Sequence, residues 1–113
     1  MHELSIVLGI VDIAEKECKK ASAKLVDSID LQIGRLSGVE PDALSFAWPA
    51  GVKDTSLKDA SLHIDWIDGK AKCLECGHTF PLDNLYLSCP KCDSYFKDII
   101  EGKELRVKSL TVT

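Results

Sequence analysis

Four of the five cysteines stand in two pairs, Cys73-x-x-Cys76 and Cys89-x-x-Cys92, with twelve residues between the pairs. Each pair can form a knuckle whose backbone amides point at the sulfurs. Gly77, directly after the first pair, supplies the permissive backbone that such a turn wants, and Pro90 stiffens the second. The intervening residues are enough for a short hairpin that brings four thiolates around one tetrahedral ion. Soft thiolates in a closed four-coordinate shell favour Zn(II), although iron can occupy the same shell. A structural role is the default, because a catalytic zinc keeps a coordination position open and four thiolates close it.

A rubredoxin-like iron site shares the CxxCG and CPxC pattern, but rubredoxins have a longer gap and a more aromatic core. Ligation supplies on the order of 10 kcal/mol of apparent binding free energy, enough to order a loop-rich module with few core residues of its own. Cys18 stands apart on a helical stripe and reads as a small buried hydrophobe. His78, two residues after Cys76, reads as a surface residue or a donor to the thiolates, and His63 falls on the polar face of its strand.

Nothing in the first residues reads as a signal peptide. Glu3, Asp12 and Glu15 interrupt the apolar run, with no basic region before it and no small-residue cleavage site after it. No stretch is apolar enough to span a membrane. The expected location is the cytoplasm, where paired cysteines point to metal rather than disulfides. A formal net charge of −4 across 113 residues argues against nucleic acid as a partner, since phosphate binding needs clustered Lys and Arg. In the cysteine segment Lys70, Lys72, Lys91 and Lys97 are offset by Glu75, Asp83, Asp93 and Asp98. No separate nucleophile–base constellation points to an enzyme.

From Met1 to Ala23 the pattern is helical, with Leu4, Val7, Leu8, Val11, Ala14, Cys18 and Ala21 at i, i+3, i+4 spacing and a second stripe of Ile6, Ile10 and Ile13. Most of this face is expected in a core, and part of it can dock a partner. Ser28 to Leu36 alternates as a half-buried strand. Glu40 to Ala50 reads as a short helix with Pro41 at its first position, ended or kinked by Pro49. Ser61 to Trp66 alternates again, Asp68-Gly69 is a turn, and Glu104 to Val112 is a last strand whose apolar phase shifts near Ser109. That strand has no partner unless it returns to the first sheet. The predicted architecture is therefore α+β. Two helices lie on a discontinuous three-stranded sheet (residues 1–69 plus 101–113), with a four-cysteine zinc-ribbon module inserted at 70–100.

Met1-His2-Glu3 at the start of a chain is a chelator. The α-amine, the His2 amide nitrogen and the His2 imidazole can close two fused rings on one ion, and the Glu3 amide can complete a planar four-nitrogen set. Square-planar nitrogen geometry is a Ni(II) or Cu(II) preference. The first four amides of a helix have no intrahelical acceptor, so losing two of these protons breaks no helix bond. Because His2 is bulky, trimming of Met1 is expected to be poor.

The opening MHELS, the run IDLQIGRLSGVE, the later ASLHI, the pairs C-x-x-CGHTF and CPKC, and the closing EGKELRVKSLTV occur in this order. The whole resembles the HypA/HybF family of hydrogenase nickel incorporation proteins. The resemblance implies a nickel-binding domain at Met1, His2 and Glu3 and a zinc ribbon ligated by Cys73, Cys76, Cys89 and Cys92. It also implies nickel delivery with a HypB-type GTPase to the large subunit of a [NiFe] hydrogenase, with urease as a further client of some members and a homodimer left open. Two departures stand out. Some relatives carry a histidine beside each cysteine pair, whereas here Asp93 follows the second, and Pro49 and Gly51 interrupt the second helix. A zinc-ribbon protein- or nucleic-acid-interaction module with no nickel role is the alternative reading.

Overall fold

The computed structural model describes residues 2–113. Along the chain come α1 (Glu3–Lys20), β1 (Val26–Gly34), α2 (Pro41–Val52), β2 (Ser61–Ile67), β3 (Lys70–Cys73), β4 (Thr79–Pro81), β5 (Lys97–Glu101) and β6 (Leu105–Val112). The strands form two three-stranded sheets, ordered β2-β1-β6 and β4-β3-β5. This is the expected α+β architecture, and the last strand does return to the first sheet. The chain divides into two compact units. One holds the residues up to Gln32, Val39–Asp65 and Arg106–Thr113, and the other holds Ile33–Gly38 and Trp66–Leu105.

In the first sheet β1 is the central strand. The Val26 amide donates to Ser56 O before β2 begins, and Arg35 N, just past β1, donates to Ile67 O at the end of β2, so β1 and β2 run parallel. Leu25 and Thr113 exchange both amide bonds at one end of β1 and Gly34 N donates to Glu104 O at the other, so β6 runs antiparallel. Ile29, Leu31 and Ile33 are fully buried on one face of β1, the alternation that period-two geometry dictates. On β6 the half-buried positions are Val107, then Leu110 and Val112, so the apolar phase shifts between them as the sequence pattern does.

Helix α1 buries Glu3, Val7, Ile10, Val11, Ala14 and Cys18. The stripe is thus narrower than the apolar residues allow: Leu4, Leu8 and Ile13 remain exposed. The helix stops at Lys20 without a glycine. Ser22 takes φ 56°, its amide donates to Lys19 O and the Ala23 amide reaches back to Cys18 O, the double bond of a Schellman turn.

Helix α2 has Glu40 at its N-cap and Pro41 at the first position, and it continues through Pro49 to Val52. Pro49 therefore does not end it. The proline removes only the amide that would reach Ser45 O. Ser45 is exposed, while Trp48, Gly51 and Val52 carry the buried face past the proline. Thr55 then closes the helix, its Oγ1 donating to Val52 O at 2.7 Å and accepting from the Leu57 amide at 3.1 Å.

The second unit is built around β3, which pairs antiparallel with β4 and with β5, the latter through a register shift at Lys70/Ala71. Its small core is Ala71, Cys73, Phe80, Leu82 and Cys89, with Leu36 and Ile99 packed against it. Two of these five residues are cysteines, so apolar burial alone gives this unit little to stand on.

Gly51 is where the two helices meet closely, since a Cβ there would overlap Val7 Cγ1, whereas a Cβ at Gly9 would meet nothing. Gly51→Ala is expected to destabilise the protein by about 1–3 kcal/mol through overpacking. Gly9→Ala should stabilise it by about 0.5–1 kcal/mol. Urea midpoints shifting in opposite directions for the two variants check this contrast.

Candidate metal centres

The β3–β4 hairpin holds the first cysteine pair in its turn, and the loop before β5 carries the second. In each, the backbone folds over the first cysteine in the same way. The Cys73 amide donates to His78 O and the Gly77 amide to Cys73 O. The Cys89 amide likewise donates to Ser94 O and the Asp93 amide to Cys89 O. The fifth residue of each knuckle has positive φ, 77° at Gly77 and 62° at Asp93. Asp tolerates this left-handed conformation better than most side chains, so Asp93 is the counterpart of Gly77.

The knuckles bring the four sulfurs together. All four Sγ atoms of Cys73, Cys76, Cys89 and Cys92 lie within 4.8 Å of one another. Cys73 and Cys92 are 3.5 Å apart and Cys76 and Cys89 3.6 Å. A tetrahedral ion with bonds of about 2.3 Å needs sulfur–sulfur edges of about 3.8 Å, so the donor set fits one such ion. Cys73 and Cys89 are buried and Cys76 and Cys92 exposed. The Cys76 amide points at Cys73 Sγ at 3.4 Å. That bond does most to lower the Cys73 thiol to about 6, with the Glu75 amide and the neighbouring thiols adding to it. The Ser94 amide pulls Cys92 down, but the bond it shares with Cys73, partial desolvation of its sulfur and the other two thiols outweigh this and push it up to about 12. An ion binding to the four sulfurs must displace the protons they carry. His78 is half-buried and stacks on Phe80 with ring centroids 6.2 Å apart, and it is not one of the clustered ligands.

At the other candidate centre, Met1 lies outside the described residues. His2 is exposed at the N-cap of α1 and makes no side-chain cap bond. The first backbone bond of the helix runs from the Ile6 amide to His2 O at 3.0 Å. Glu3 is a surprise, since its side chain is only 5 % exposed. Its Oε2 accepts from the Glu40 amide at 3.3 Å, at the N-cap of α2. Burial acts to raise this carboxyl, but the Glu40 and Glu3 amides, with the positive charge of the chain terminus, hold the group below its ordinary value of 4.5. The carboxylate thus ties the start of one helix to the start of the other, where the partial positive charge of a helix N-terminus favours an anion. Sequence reasoning missed this tie, because a bond between residues 37 apart leaves no local signal.

Comparison with known proteins decides what these centres belong to. A family model described as hydrogenase/urease nickel incorporation, metallochaperone, HypA, matches residues 1–112. The chain belongs to the HypA family. It is similar to the hydrogenase maturation factor HypA of Parabacteroides distasonis, at 41% identity over 99% of this chain and 97% of that protein. The hydrogenase maturation factor HypA of Geobacter metallireducens is 42% identical over 99% of each. Among solved structures, the Ni metallochaperone HypA from Helicobacter pylori matches with a TM-score of 0.71 and 29% identity, over 99% of this chain and 97% of that one. As a HypA-family member, this chain belongs to a group of metal carriers that serve hydrogenase maturation.

The Glu3 tie has a measurable sign. A carboxyl depressed in the folded state adds stability that is complete above its unfolded value and is lost as pH falls through its lower folded value. Glu3→Gln is therefore expected to melt several degrees below the parent at neutral pH, and the gap should narrow on acidification below 4.5. A gap independent of pH in thermal melts would remove the charged tie.

Proposed function

We propose that this chain is a nickel carrier that binds Ni(II) through Met1, His2 and Glu3 and passes it, with a HypB-type GTPase, to the large subunit of a [NiFe] hydrogenase in the cytoplasm. The observation that carries the reading is the match to the nickel-incorporation family over residues 1–112, joined to an exposed His2 at the head of α1. In this reading the Met1 α-amine, the His2 amide nitrogen and the His2 imidazole close two fused chelate rings, and the Glu3 amide completes the plane. The two amide protons lost on binding balance the charge of the ion. The donors must shed their protons to bind, so affinity rises with pH. A site at the end of a helix, open on one side, suits handover better than a buried cage. The chain acts as a carrier and not as an enzyme.

In the same reading Cys73, Cys76, Cys89 and Cys92 hold Zn(II). The ion, when bound, supplies the cross-link that the five-residue core of the second unit lacks. The amide directed at Cys73 and the positive-φ turns at Gly77 and Asp93 prepare the sulfurs for it. The closed thiolate shell leaves no position for a substrate.

Two measurements test these assignments. In titration calorimetry, His2→Ala or an added N-terminal glycine is expected to weaken nickel binding by well over tenfold, more than about 1.4 kcal/mol, and to abolish the planar nickel absorption band. Equal affinity in the extended protein would move nickel elsewhere. For the second centre, Cys89→Ser or a strong zinc chelator is expected to remove one equivalent of zinc by native mass spectrometry. Amide dispersion of residues 66–105 should collapse while α1 stays helical, and a ribbon that keeps its dispersion without metal would exclude the structural role.

A further inference from the structure

The first sheet ends on a strand whose outer edge is open. Among the described residues β6 is paired only with β1, and no residue of β6 is buried. An edge strand turns the N–H and C=O of alternate residues away from its neighbour, so β6 offers a row of unpaired backbone donors and acceptors. A groove of about 420 Å³ lies beside it, between β6 and the second half of α1. Its β6 wall is Val107, Lys108, Ser109, Leu110 and Val112, and its α1 wall is Ile13, Glu17 and Ala21. Neighbouring residues of a strand point to opposite faces. A groove that touches both Val107 and Lys108 therefore runs along the rim of the sheet instead of lying on one face. Val107, Leu110 and Val112 are half-buried and Ile13 is 50% exposed, so both walls carry apolar side chains.

Charge selects among the possible occupants. A second groove joins the first at Ile13 and Glu17 and is lined by Lys16, Lys19 and Lys20. Together with Lys108 these lysines face one lining carboxylate, Glu17. Lys16 is held on Asp12 at 3.0 Å and Lys20 on Glu17 at 3.5 Å, while Lys19 and Lys108 are in no ion pair among the described residues. In a chain of net charge −4 this is a local surplus of positive charge. A second copy pairing β6 with β6 about a two-fold axis would bring the two copies of Lys108, at the middle of the strand, close together, and like charges across strands destabilise the pairing. A nucleic acid would answer the lysines but has no peptide groups for the strand edge. An extended acidic stretch of polypeptide answers the edge, the apolar walls and the charge together.

We propose that the open edge of β6 is a docking site for an extended acidic segment of another protein, which adds to the sheet as a further strand. Its apolar side chains lie against Ile13, Val107 and Leu110, and its carboxylates meet Lys19 and Lys108. At 1.5 Å per residue, Ile13 stands about 16 Å along α1 from His2. A partner held here therefore leaves the head of the helix free, and the site draws on neither candidate metal centre.

The test titrates the isotope-labelled, full-length protein with a blocked peptide of alternating valine and glutamate, as long as β6 at 8 residues, and follows it by NMR. One control is the same peptide N-methylated at every residue, which keeps its charge but has no amide to donate. Alternating valine and lysine gives a second control. The valine–glutamate peptide is expected to produce saturable shifts and slowed amide exchange across residues 105–112, and neither control should do so. Lys108→Glu, at an exposed position, should weaken binding by about tenfold or more, with circular dichroism like that of the parent. Equal binding by the N-methylated peptide, or shifts confined to Lys16, Lys19 and Lys20 with no protection of β6, would reduce the effect to charge attraction and overturn the proposal. So would the absence of saturable binding, an oligonucleotide that binds β6 as tightly, or β6 shifts that follow protein concentration alone.

Discussion

The backbone pairing of β6 with β1 is the interaction on which the rest of the architecture hangs. At one end Leu25 and Thr113 exchange N–H···O bonds of 3.2 and 2.9 Å, with the Lys24 amide adding a third at 2.8 Å. Along the strands Ser109 Oγ donates to Asp30 at 2.7 Å and Arg106 donates to Gln32. At the far end the Gly34 amide reaches Glu104 O at 2.7 Å. This pairing places β1 in the centre of its sheet, so that Ile29, Leu31 and Ile33 have a strand on either side of them. It also fixes the status of the cysteine segment. Everything between β2 and β6 leaves the sheet and comes back, and so must form its own small core.

That core has little apolar area of its own, and two of its five buried residues are cysteines. The two knuckles repeat one backbone plan, Cys73 with Gly77 and His78, then Cys89 with Asp93 and Ser94. The repetition explains a residue that had looked like a departure from the family. Asp93 occupies the left-handed position that Gly77 fills in the first knuckle. Its place is accounted for by backbone geometry, with no need for a ligand at that site.

Much of the fold was legible because period and burial coincide. The alternation of Ile29, Leu31 and Ile33 marked β1, and Pro41 marked the start of α2. The four sulfurs were legible as one cluster because two close pairs and a short gap leave the chain few ways to fold around them. Three features were not legible, each for a physical reason. The end of α1 depends on Ser22 adopting a conformation usually left to glycine. Helix α2 runs past Pro49 because its buried residues continue beyond it and the lost bond falls on an exposed turn. Glu3 is buried because its partner is a backbone amide 37 residues away. The period also overstated the core, since Leu4 and Leu8 obey it and remain outside.

The place of β6 in the chain also orders events during synthesis. A ribosome releases the chain from its N-terminus, so both helices, β1 and β2 emerge first, followed by all four clustered cysteines, and only then the strand that completes the first sheet. Until β6 appears, β1 has one open edge, a template for unwanted pairing. The sulfur cluster can be complete before that edge is covered. For this chain, the four sulfurs therefore meet the cell before the sheet whose strands they separate is closed.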